Sequence, residues 1–286
     1  MKKNNVILIL IIAISLPALA YFGSGLSSGL QTVTQAHQMP IVLEVPFMDR
    51  DIDLSNGISL DAWEPIHPGE IEMEYQVMVL PWGKSLINPV TVKAFHNGRD
   101  IYFYMSWKDD TENRITGINR FSDAAAIMFP IGNNVQNSTI MMGFMANGSN
   151  IWQWKASQDS EYWLKEAPKT EAYADFYYPF EENETFVVSK NAPISAVNDL
   201  MVIRVGTLTP KPSQNVQGRG LWYNGTWQVV FKRSLNIADP EQDADFNTLT
   251  RVAFAVWNGA NGDRGGRKSI SHDWTSVDIM PAEGAK

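Results

Sequence analysis

The stretch Ile71-Glu72-Met73-Glu74-Tyr75-Gln76-Val77-Met78-Val79 alternates side chains with a period of two. A β-strand sends successive side chains to opposite faces, so this register lines one face with Ile71, Met73, Tyr75, Val77 and Val79. Similar signals lie on both sides. Residues 90–95 and 101–107 are β-rich runs joined through His96-Asn97-Gly98-Arg99, and Leu221-Trp222-Tyr223 meets Trp227-Gln228-Val229-Val230-Phe231 across Asn224-Gly225. Asn-Gly supplies the positive φ angles that tight hairpins require. Helical periodicity is scarce, and no repeat of fixed period or low-complexity tract occurs. The pattern predicts an all-β fold, one antiparallel β-sandwich with a few short helical or loop insertions, at 166–175 and 240–247.

The chain has 286 residues, a net charge of −8 and no cysteine. The acidic balance, without a basic stripe to neutralise phosphates, argues against nucleic acid as a partner. The lack of cysteine excludes disulfides, iron–sulfur clusters, thiolate zinc sites and covalent c-type haem. Residues 1–20 read as an export signal: Lys2 and Lys3, an apolar run from Val6 to Leu16, then Pro17-Ala18-Leu19-Ala20 with small residues at the cleavage positions. Retention of that segment as a membrane tether is the alternative. Residues 21–38 are expected to be a flexible linker, and 39–286 the folded domain. The expected location is periplasmic or otherwise extracytoplasmic.

Catalytic signatures are missing. The histidines His37, His67, His96 and His272 form no zinc-type pair, and no nucleophile elbow or phosphate-binding glycine loop occurs. Asp109-Asp110 and Glu181-Glu182 read as solvated loop charge. The least ordinary stretch is Val256-Trp257-Asn258-Gly259-Ala260-Asn261-Gly262-Asp263-Arg264-Gly265-Gly266-Arg267-Lys268-Ser269-Ile270-Ser271, an apolar strand running into a loop with four glycines and two asparagines. Such a loop is expected where backbone approaches something bulky.

That loop, together with Ile140-Met141-Met142-Gly143, Asn150-Ile151-Trp152-Gln153-Trp154-Lys155-Ala156, Val92-Lys93-Ala94-Phe95-His96-Asn97-Gly98 leading to Tyr104-Met105-Ser106-Trp107, 121–130 and Gly218-Arg219-Gly220-Leu221-Trp222, resembles the haem b-binding gamma subunits of ethylbenzene dehydrogenase and dimethylsulfide dehydrogenase. Chlorate and selenate reductases and nitrite oxidoreductase have corresponding subunits. The resemblance covers roughly residues 40 to 282. It implies a cytochrome b subunit with one non-covalent haem b whose axial ligands are a methionine and a lysine. These map to Met142 and Lys268. Met141 and His272 are the rival ligands, with Met145 and Met128 behind them; Trp152, Trp154 and Trp257 are candidate pocket walls, and Arg267 a candidate for a propionate or a neighbouring subunit. A lysine ligand must first lose its proton, which from an ordinary pKa costs about 4.6 kcal/mol at pH 7.

By the same resemblance the chain relays electrons between the iron–sulfur subunit of a molybdenum oxidoreductase, served by its molybdenum catalytic subunit, and an external carrier such as cytochrome c or quinone. Alternatives are an extracytoplasmic carbohydrate-binding sandwich without haem, and a cytochrome b acting without molybdenum partners.

Overall fold

The alternating stretch at 71–77 turns a corner between two sheets. Gly69–Ile71 (β2) pairs with Val90–His96 (β4), whereas Met73–Tyr75 (β3) pairs with Ser269–Ser271 (β13) in the other sheet, so the chain changes layer at Glu72. Ile71 and Met73 both enter the core, but Val77 is exposed, and the apolar face expected to reach Val79 already ends at Tyr75 among the described residues. The computed structural model describes residues 41–77, 80, 85–131, 140, 142, 148–165, 193–237 and 239–281. The expected signal and linker at 1–38, and the expected insertion at 166–175, lie outside them.

The first sheet is antiparallel and has five strands, in the order Gln217–Tyr223 (β10), Thr226–Ser234 (β11), Asp100–Lys108 (β5), β4 and β2. Both Asn-Gly hairpins form there: Gly98 has φ 83°, and Asn224 and Gly225 have φ 50° and 73°. The second sheet runs from Val42–Val45 (β1) through Thr275–Ile279 (β14), Arg251–Trp257 (β12), Ala124–Pro130 (β6), Ser149–Lys155 (β7) and Val197–Val202 (β8) to Thr209–Pro210 (β9). β13 branches from β12 and carries β3. One pair departs from the antiparallel expectation: β1 and β14 run parallel, which a sequence pattern cannot distinguish because both pairings share the period of two.

The layers pack through aromatic side chains. Phe103, Trp107, Trp227 and Phe231 of the five-stranded sheet meet Phe129, Trp152 and Trp154 of the other, all fully buried or nearly so. Each such side chain contributes roughly 2 to 3 kcal/mol by leaving water. The segment after Asp239 adds Ala244, Phe246 and Leu249 to this core, and Phe246 packs against Phe103, Phe129 and Trp152.

Between β7 and β8 lies one helix the scarce periodicity did not announce, Ala156–Leu164 (α1). Its Asp159 accepts hydrogen bonds from the Trp154 indole (2.9 Å) and from the Gly220 N–H (2.8 Å). A Cβ on Gly220 would lie 2.1 Å from the Trp154 ring, so the Gly218-Arg219-Gly220 segment is glycine-rich because β10 closes directly over that indole.

Candidate functional site

β6 and β12 are apolar on both faces, as strands covered on both sides must be. Ala125, Ile127 and Phe129 face the inter-sheet core with Val252, Phe254 and Val256; Ala124, Ala126 and Met128 face outward with Ala253, Ala255 and Trp257. In register, Trp257 sits opposite Ala124, Ala255 opposite Ala126, and Ile270 beside Ala255. Four alanines therefore make a shallow apolar floor across neighbouring strands, where branched residues would stand proud. Ile140, Met142, Leu208, Ile270 and Trp274 pack around it.

Lys268 borders this floor. The serines on either side of Ile270 turn inward, Ser269 Oγ accepting from Ile87 N–H (3.0 Å) and Ser271 Oγ from Phe254 N–H (2.7 Å). The Lys268 carbonyl accepts from Gln76 N–H at 3.2 Å, and its Nζ lies 4.8 Å from the centre of the Trp257 ring. That ring is held in turn, its indole donating to the Gly265 carbonyl (3.0 Å). Burial draws the Lys268 pKa down to about 8. Neutralising the amine at pH 7 then costs about 1.4 kcal/mol rather than 4.6. Met142 reaches the same cluster from the opposite part of the sequence, with φ 60°, a left-handed conformation that costs a side-chain-bearing residue of order 1 kcal/mol or more.

The other sequence candidates fall elsewhere. His272 is exposed and bonds Glu74 Oε2 through Nδ1 at 2.8 Å, a contact that raises its pKa. Trp152 and Trp154 do not stand beside Trp257: strand alternation turns them to the inter-sheet core. Met128 faces outward on the floor itself, in the cluster that Met142 packs against, and Met141 and Met145 are outside the described residues. The Arg267 backbone closes a tight turn with Arg264, and its buried Nε has no hydrogen-bond partner among the described residues. Among the described residues no tryptophan is exposed, and Trp163, Trp222 and Trp274 are half-buried.

A second layer was missed in the sequence. Asp109, expected to be solvated, is 3% exposed; only Asp110 faces water. Asp123 is fully buried and accepts from Gly259 N–H (2.7 Å), Asn113 N–H (2.7 Å) and the Trp227 indole (2.9 Å). Burial, then the nearby Asp109 charge, pushes Asp123 up to about 7 despite these donors. Asp263 is also buried and accepts from Asn258 N–H (3.1 Å). The three carboxylates fasten the start of the glycine loop. Their one legible signal was a lone aspartate ahead of the all-apolar run 124–130.

A thioether and a readily neutralised amine bordering a flat apolar floor fit an iron porphyrin: two donors for iron and small side chains under a planar ring. Fold and site together define a two-sheet β-sandwich with an apolar, alanine-rich outer face on its larger sheet. Residues 60–269 match the ethylbenzene dehydrogenase family, and the chain belongs to it. Among its relatives are a protein of Haloferax mediterranei provisionally named as a respiratory nitrate reductase heme subunit, 29% identical over 77% of this chain and 67% of its own, and chlorate reductase subunit gamma of Ideonella dechloratans, 22% identical over 67% and 65%. Dimethylsulfide dehydrogenase subunit gamma of Rhodovulum sulfidophilum is 26% identical over 67% of this chain and 61% of its own. The chain thus spans about two thirds of the length of these relatives. Among solved structures it is similar to a family 9 carbohydrate binding module from Caldicellulosiruptor kristjanssonii in complex with glucose, with a TM-score of 0.42, 8% identity and coverage of 85% and 98%.

Proposed function

We propose that this chain is an electron-transfer subunit holding one non-covalent haem b against the alanine floor of the nine-stranded sheet, with Met142 and Lys268 as axial ligands. The observation that carries the reading is that two residues far apart in sequence both border the apolar face around Trp257, Met142 packed against it and Lys268 Nζ 4.8 Å from the Trp257 ring. Haem, when bound, supplies a one-electron couple. The chain's own residues do the rest: the alanines admit a flat ring and exclude water, the Trp257 ring faces the lysine amine, and burial lowers the cost of freeing the lysine lone pair. Arg267, whose buried Nε has no hydrogen-bond partner among the described residues, is the group for a propionate.

In this reading the partners are the iron–sulfur and molybdenum subunits of one oxidoreductase, and the chain hands electrons to or from an external carrier outside the cytoplasm. The names of the relatives, a heme subunit and two gamma subunits of redox enzymes, support it. Purification of the full chain from its native extracytoplasmic or membrane fraction tests it: a Soret band, pyridine haemochrome of b type and two co-purifying subunits are expected. A colourless chain that travels alone contradicts it.

A further inference from the structure

Asp109, Asp123 and Asp263 converge where the end of β5, the start of β6 and the loop after β12 meet, beside the backbone that follows Trp257. Asp123 binds the N–H two residues beyond that tryptophan, and Asp263 the N–H of the next residue. All three are at least 97% buried. Asp123 has donors on both oxygens. Asp109 Oδ2 and Asp263 Oδ1, however, are buried with no hydrogen-bond partner among the described residues. A carboxylate oxygen without a donor, out of water and close to two like charges, is where a proton gains most.

The charges facing the cluster are few. Asp110 lies beside Asp109, and Arg264 and Arg267 act on Asp263. Arg114, over the Trp227 ring, is committed to Glu112 and Asp159. Asn258 contributes a neutral amide between Asp109 and Asp263. The three buried acids, with Asp110 beside them, outnumber the exposed Arg264 and half-buried Arg267 that act on them.

We propose that these three aspartates act as one proton-accepting cluster, taking up a proton when the cofactor on the adjoining face is reduced. The inference rests on the haem reading above. With haem held on that face, its one-electron reduction by an iron–sulfur donor would be matched by one proton taken from solvent onto the cluster, forming one carboxyl O–H bond, with no other bond made or broken. Burial raises the affinity of all three groups for protons, Asp123 to about 7, which places the exchange near neutrality. The apparent value belongs to the cluster rather than to one residue.

The test is a spectroelectrochemical titration of the haem-loaded full chain between about pH 5 and about pH 9. The midpoint potential should fall as pH rises through neutrality, with a slope approaching about 59 mV per unit, the one-electron equivalent of a tenfold change in proton activity. Asp109→Asn combined with Asp263→Asn should flatten it. In the unmodified chain, the reduced-minus-oxidised infrared spectrum should gain the C=O band of a protonated carboxyl, shifted in D2O. A loaded chain with a pH-independent potential, a slope that survives in the double variant, or no carboxyl band overturns the cluster while leaving the haem reading intact. A chain that takes up no haem overturns the haem reading itself.

Discussion

Lys268 is a cation placed where a cation is poorly solvated, and this has a measurable sign before any cofactor is bound. Its pKa is about 8 in the fold against 10.5 unfolded, so the folded chain binds fewer protons between those values. The stabilising contribution is therefore present above about pH 10.5 and lost as pH falls through about 8. Lys268→Met should raise the stability of the haem-free chain at pH 7 by up to about 3 kcal/mol, less the attraction to the Trp257 ring, and should remove the difference at high pH. Urea denaturation at the two pH values checks it; a Lys268→Met chain equally stable or weaker at pH 7 shows that the ammonium is well compensated. Met142 is a separate case. Met142→Leu keeps the apolar volume and should change the haem spectrum while costing under about 1.5 kcal/mol of stability, whereas Met141→Leu should leave the spectrum alone.

The loop 258–266 depends on contacts that a Cβ or a lost charge would break. A Cβ on Gly259 would stand 1.9 Å from the Phe121 carbonyl oxygen, so Gly259→Ala should cost about 3 kcal/mol and loosen haem binding together with the fold. Thermal melts with and without added haemin separate the two effects. Asp123 should give the element its own pH signature. Its folded pKa of about 7 exceeds the unfolded 3.8, so the contribution is present below about pH 3.8 and lost as pH rises through 7. Together with Lys268 this predicts a stability minimum near pH 7 to 8 in the haem-free chain, with the acid side of the minimum missing in Asp123→Asn. At this scale the sequence was legible where chemistry is local: both Asn-Gly turns, the alternation through Ile71 and Met73, and the loop's need for close approach. Asp109 was misread because its burial comes from β10 and the loop after β12, more than a hundred residues away, and nothing in the dipeptide Asp109-Asp110 carries that information.

At the scale of the whole molecule, a buried ion network joins strands to the insertion after β11. Lys211 Nζ bonds Asp199 (2.9 Å) and Asp243, with Arg233 stacked on Trp152 and Phe246. Removing the lysine leaves two buried carboxylates facing each other, so Lys211→Ala should lower stability by roughly 3 to 5 kcal/mol, measured by chemical denaturation. The two-layer β architecture was readable from alternation and turns. Which face of the second sheet the proposed cofactor would meet was not, since β6 and β12 are apolar on both sides and Trp152, Trp154 and Trp257 look alike until the register sends the first two inward. The family resemblance supplied Met142 and Lys268 as candidates; the fold packs Met142 against the alanine face and sets Lys268 Nζ over the Trp257 ring. The most direct measurement is the optical spectrum of the haem-loaded chain with Lys268→Ala beside His272→Ala. The account predicts that Lys268→Ala loses the low-spin spectrum and His272→Ala keeps it; loss in His272→Ala with retention in Lys268→Ala would contradict the site described for this chain.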